Sequence, residues 1–143
     1  MSEVHPKIIG KSLDLAYSMF PEFYASRSQK TYHFAFGWIK NNLLAIGLND
    51  TSVERHSARR FAKRFNTGQK YYYNHAETDL VRKLWGKTRI DSNLKVVLIR
   101  LNKLGEIQNS KPCSSCSILL NALSVNKVWY SDKNGKIIRW KDV

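Results

Sequence analysis

Two short stretches decide how this chain is read: Asn74-His75-Ala76-Glu77 and Pro112-Cys113-Ser114-Ser115-Cys116. The second holds the only two cysteines, spaced C-x-x-C. The first holds a histidine with a glutamate two positions after it. Two cysteines alone are compatible with a buried thiol pair, a redox C-x-x-C or metal ligation. What separates these readings is the local structure each stretch predicts.

Ala76, Leu80, Val81, Leu84 and Trp85 recur at helical spacing and predict a helix over 74–86. Pro112 opens a second helix, at a position where a missing N–H does no harm. Cys113, Cys116, Leu119/Leu120 and Leu123 share one face of that helix. Sulfurs at i and i+3 of a first turn reach one ion from the same side, and the positive end of the helix favours thiolate. His75 and Glu77, two apart, do not share a helix face, so they converge only on an ion lying off the N-terminal end. The same helix sets Glu77 in line with Leu80, Val81 and Leu84, where a lone carboxylate is costly unless neutral or paired. A single histidine is commonly a satisfied core residue, and two cysteines are commonly buried thiols. A structural zinc would ask for a fourth Cys or His. There is no third cysteine, and His5, His33 and His56 lack ligand-like spacing. The economical reading is one zinc on His75, Cys113 and Cys116 with an open position, and Glu77 as the acid/base beside it.

The rest of the chain supplies a frame. Ile9, Leu13, Ala16 and Phe20 predict a helix from about Pro6 to Phe20, ended by Pro21, with Glu22 to Lys30 a polar connection. Tyr32 to Ile39 is rich in aromatics and reads as a strand. Asn41-Asn42 makes a turn of positive φ, and Leu43 to Leu48 is a second strand, apolar on both faces. Asn49-Asp50-Thr51-Ser52 offers N-caps for a helix from Ser52 to Phe65. Leu94 to Leu101 is a strand covered on both faces, and Lys103 to Lys111 a loop with room for a short strand. Lys127 to Ser131 and Lys136 to Trp140 are strands joined by the turn Asp132-Lys133-Asn134-Gly135. This order predicts an α/β domain over residues 1–143, a mixed sheet with helices on its faces. Trp38 and Trp129 read as core.

Charge is the unusual quantity. Twenty-four Lys and Arg stand against eleven Asp and Glu, a net +13. That exceeds the magnitude of roughly 2–8 that keeps a small domain soluble, so a polyanionic partner is expected ahead of solubility alone. The densest basic surface is the predicted helix carrying Arg55, Arg59 and Lys63 as a stripe, with Arg60 and Arg64 beside it. Like charges at i, i+4 repel, and such a face is more comfortable against phosphates. No run reaches the ~18 apolar residues of a membrane span, and the N-terminus has no secretory apolar stretch, so an intracellular, reducing compartment is expected.

H-A-E followed by P-C-x-x-C resembles the signature of the zinc nucleobase deaminase superfamily, H-x-E…P-C-x-x-C. The order of elements is similar to that fold from the first helix onward. The resemblance implies a three-layer cytidine deaminase-like fold with a mixed five-stranded sheet. Trp129 to Ile137 leaves room only for a C-terminal β-hairpin, like the branch that contains cytidine deaminases and many bacterial toxin deaminases. It further implies that His75, Cys113 and Cys116 bind Zn2+ and that Glu77 moves the protons. Asn49, in Gly47-Leu48-Asn49, resembles the asparagine that contacts sugar or base. The Ala76 backbone takes the position of an acceptor for the exocyclic amine.

The expected substrate is a cytosine within single-stranded DNA or RNA. Basic grooves and aromatic stacking surfaces suit an unstacked base, and Arg55 to Arg64 and Tyr71-Tyr72-Tyr73 stand just before the His motif. Tyr73 is the tyrosine nearest that motif. For the tyrosines, a strand or core edge is an equal reading. A free cytidine or deoxycytidylate deaminase shares every catalytic residue and leaves most of the charge unexplained. A zinc-stabilised nucleic-acid-binding module without catalysis is the third reading, and an intact Glu77 argues against it.

Overall fold

A computed structural model describes residues 7–69 and 72–140. The elements are α1 (Lys7–Ser26), β1 (Thr31–Ile39), β2 (Asn42–Leu48), β3 (Asp50–Glu54), α2 (His56–Phe65), β4 (Tyr73–Asn74), α3 (Ala76–Leu84), β5 (Lys95–Asn102), β6 (Ile107–Gln108), α4 (Ser114–Ala122), β7 (Lys127–Ser131) and β8 (Ile137–Arg139). The main sheet runs β2-β1-β5-β7-β8, with β6 pairing further along β5. Every pair is antiparallel except β5–β7, which is parallel and joined by a crossover through α4.

Alternation along the central strands fills two layers. Tyr32, Phe34, Phe36 and Trp38 of β1, with Val97, Ile99 and Leu101 of β5 and Trp129 of β7, pack under Ile8, Ile9, Ala16 and Phe23 of α1. Ala35, Val96, Leu98 and Val128 point the other way, onto Leu80 and Leu84 of α3 and Leu120 of α4. Phe61 of α2 joins Val81 and Leu119 in an outer cluster. The three layers, the five-strand path, the helices on both faces and the C-terminal hairpin are those the resemblance implies. Both tryptophans named above are core. No helix among the described residues is long and apolar enough to cross a membrane.

Several expected boundaries move. Pro6 lies outside the described residues, and α1 does not stop at Pro21 but runs through it to Ser26. Proline removes one helical hydrogen bond. Against that loss, the extra turn seats Phe23 edge-on against Tyr32 and Phe34, with ring centroids 4.9 and 5.3 Å apart. The β1–β2 turn is Lys40-Asn41, and Lys40 rather than an asparagine has the positive φ, 55°. The first half of β2 is exposed, because this strand is the sheet edge. α4 begins at Ser114, two residues after Pro112.

The largest correction concerns 50–55. Asp50–Glu54 is a strand paired with β4, and α2 starts at His56 with Arg55 as N-cap. The Asp50 carboxylate explains this. It accepts from the N–H and hydroxyl of Ser52 and from Arg55 at 2.7 Å, so Ser52 is held in the strand instead of capping a helix. Burial alone would push the Asp50 carboxyl up. The hydrogen bonds from Ser52 and Arg55 and the charge of Arg27 outweigh burial and bring it from 3.8 down to about 2. A depressed carboxylate contributes stability above its unfolded pKa and loses it as pH falls through the folded one. Asp50 therefore contributes stability at neutral pH that is lost as the pH drops from about 4 toward 2. Urea unfolding of Asp50→Asn should show that loss already at pH 7, with a flatter decline of stability over the same acid range than the parent chain.

Candidate metal centre and pocket

The N-terminal ends of α3 and α4 come together. His75 is the N-cap of α3 and Cys113 the N-cap of α4, and neither side chain caps its own helix. Each instead leads its helix with its carbonyl, accepting from Asp79 N at 2.9 Å and Ser117 N at 2.8 Å. The side chains are thus free to turn toward each other. His75 Nδ1 lies 3.6 Å from Cys113 Sγ and 3.3 Å from Cys116 Sγ. All three ligand atoms fall within 4.8 Å of one another. A tetrahedral zinc with ordinary Zn–N and Zn–S lengths separates N from S by about 3.6 Å, so this N,S,S set fits a zinc-type ion.

Electrostatics among these groups are steep. The hydrogen bond from Cys116 lowers the Cys113 thiol most. With His75 and Ser115 it overcomes burial and brings that thiol down to about 3. The same contact with Cys113, burial and the nearby Glu77 push Cys116 well up. The hydrogen bond to Cys113 raises His75 against its burial. Glu77 sits in the first turn of α3, 7% exposed, within hydrogen-bonding reach of the Cys116 thiol. Burial raises its carboxyl.

A cavity of about 260 Å³ opens in front of these groups. Glu77, Ala76, His75, Asn74 and Tyr73 line it from one side, with Asn49 and Thr51 after β2, Thr31 and His33 from β1, and Ser110, Lys111 and Cys113. Asn49 is buried, its Oδ1 accepting from His33 N at 2.9 Å and Gln29 Nε2 at 3.3 Å, its Nδ2 donating to Thr31 O. One Nδ2 hydrogen remains. The Ala76 carbonyl lies against Gly47 of β2.

All five basic residues of the stripe are exposed, and three of them have neighbours within the fold. Arg55 pairs with Asp50, Arg59 lies over the Tyr72 ring at 5.9 Å, and Arg64 over Trp85 at 5.1 Å. Arg60 and Lys63 are exposed. Tyr72 and Tyr73 stand at the β4 end of this region, and Tyr71 lies outside the described residues.

His33 was missed by motif reading. Its signal was the alternation of β1: if Tyr32 and Phe34 face α1, His33 faces α3 and the pocket. Burial, then the charges of Arg100 and His75, hold its imidazole at about 4, so it is neutral near pH 7. Ser110 and Lys111 come from a loop that carries no motif.

No family model matches the chain, and no curated protein matches it. Among solved structures it is similar to an apo dCMP deaminase from the cyanophage S-TIM5. That similarity has 17% identity and a TM-score of 0.48, and covers 85% of this chain and 83% of that one.

Exposure and ionisation differ sharply between the two thiols. In metal-free protein at pH 6, iodoacetamide should modify exposed Cys113 at least about tenfold faster than buried Cys116. Prior addition of one equivalent of zinc should protect both, read by mass spectrometry of the digested chain.

Proposed function

We propose that this chain is a zinc-dependent hydrolytic deaminase that converts cytosine to uracil in single-stranded DNA or RNA. The observation that carries the reading is a buried glutamate, Glu77, beside a His-Cys-Cys ligand set at the floor of a nucleoside-sized cavity. His75, Cys113 and Cys116 would hold the ion. When bound, zinc supplies a Lewis acid that brings ionisation of a water from ~9 toward ~7. Glu77 is placed to take one proton from the attacking water and give it to the ring nitrogen, where it stays, and then to take a second from the hydroxyl on the amine-bearing carbon and give it to the leaving amine. The water oxygen ends on the amine-bearing carbon, the C–N bond breaks and ammonia departs. Burial, which raises the Glu77 carboxyl, suits it to hold that proton between steps. Asn49, with its spare N–H, and Tyr73 are the substrate contacts, and Ala76 lines the pocket beside them with its carbonyl turned to Gly47.

The excess of positive charge supports a polynucleotide over a free base, as does the basic and aromatic ground of α2 and β4 next to the pocket. A single strand presents an unstacked base without the cost of flipping. The small volume of the cavity favours, as the competing reading, a free cytidine or deoxycytidylate deaminase.

Purified chain should carry about one zinc and release ammonia from cytosine in a single strand. Glu77→Ala should keep the metal and lower turnover by at least about 10³-fold. Retained biological function in that variant would instead favour a non-catalytic zinc module. Changing Arg59, Lys63 and Arg64 together to Glu should abolish turnover of an oligonucleotide and spare any turnover of free cytidine. Equal losses on both substrates would remove nucleic acid from the proposal.

A further inference from the structure

A second, larger cavity of about 610 Å³ abuts the first, the two sharing Asn74 as a wall. Five cations line it from three parts of the chain: Arg27 after α1, Arg55 and Arg60 at the start of α2, and Arg82 and Lys83 on α3. Three carboxylates accompany them, Asp50, Glu54 and Asp79, leaving a surplus of two positive charges.

The pairing is lopsided. Asp50 takes Arg55 at 2.7 Å and Arg27 at 3.9 Å, and Asp79 takes Arg82 at 2.7 Å and Lys83 at 3.2 Å. Each buried carboxylate has two cations near it, of which Lys83 also donates to the Ile46 carbonyl at 2.7 Å. Arg60 has no carboxylate partner among the described residues. The carboxylates are buried while the cationic side chains stay about a third to a half exposed. Buried anions therefore hold one side of each guanidinium of Arg27, Arg55 and Arg82, which leaves further N–H groups of the five each carries. Arg27 also donates to the Asn49 carbonyl at 2.7 Å, which ties this cluster to a residue of the first pocket.

We infer that this cavity is a phosphate-binding subsite, filled by the backbone phosphate next to the target nucleotide. It rests on the polynucleotide reading of the neighbouring pocket, because the same phosphate chemistry could come from a nucleoside monophosphate. Converging arginines whose positions are set by buried carboxylates are preorganised for a tetrahedral oxyanion.

The test is binding without turnover. Zinc-loaded wild type, Arg60→Glu, Arg82→Gln and the distant charge control Lys133→Glu are titrated with labelled oligothymidylate, which contains no cytosine, at several salt concentrations. Arg60→Glu and Arg82→Gln should each weaken binding about tenfold and flatten log K against log salt by ~0.7. Lys133→Glu should change both far less. A second arm compares thymidine monophosphate, thymidine and inorganic phosphate as competitors. If the cavity variants lose only the preference for monophosphate over thymidine, the subsite stands with a free nucleotide as its source. Equal effects of all three substitutions, or wild-type binding in both cavity variants, would overturn it. A chain that deaminates nothing still gives one of these answers, so the subsite and the reaction fail separately.

Discussion

The first turn of α3 lies directly on the backbone of β2, and Gly47 is what permits it. A Cβ at position 47 would overlap the Ala76 carbonyl oxygen and crowd the Leu80 nitrogen, neither of which can swing aside. That contact sets the height of α3 on the sheet. It thereby sets His75 and Glu77 at the pocket wall beside the first turn of α4. Side chains two residues apart cannot meet across a helix face. Both reach the same centre here because the helix points its end, rather than its flank, at the site.

The two helix N-termini lie together without capping side chains. Helix N-termini carry partial positive charge, and two of them aimed at one point favour anionic sulfur. The low Cys113 thiol is one expression of this crowding, through its contacts with Cys116 and His75. Glu77 completes the set as a carboxyl whose pKa burial raises. Charge, helix direction and burial thus point to one small volume, bounded across the pocket by neutral His33 and internally bonded Asn49.

The parts of the fold that follow hydrophobic period were legible in the sequence. β1, β5, β7 and the hairpin were read within a residue or two, because their alternating or continuous apolar runs are long. The ligand set was legible because residue type and spacing carry it. Where tertiary contacts overrode local preference, the reading shifted. Aromatic packing of Phe23 carried α1 past Pro21, and the buried Asp50 carboxylate drew Ser52 into a strand. The joint pairing of β3 with β4 rests on partners about twenty residues apart, which no local pattern reveals. The division of the basic stripe was equally hidden, since helical spacing groups Arg55 with Arg59 while the fold sends one to Asp50 and the other to Tyr72.

The outer edge of β2 is occupied by an ion pair. Asp79 accepts from Leu48 N at 3.0 Å and Lys83 donates to Ile46 O at 2.7 Å, the carboxylate and ammonium lying 3.2 Å apart. One oxygen and one ammonium group stand where a neighbouring strand would offer a carbonyl and an amide. An exposed edge is a template for another chain, and side chains of α3 close it beside the pocket. Sheet-to-sheet joining of copies through this half of β2 is therefore blocked.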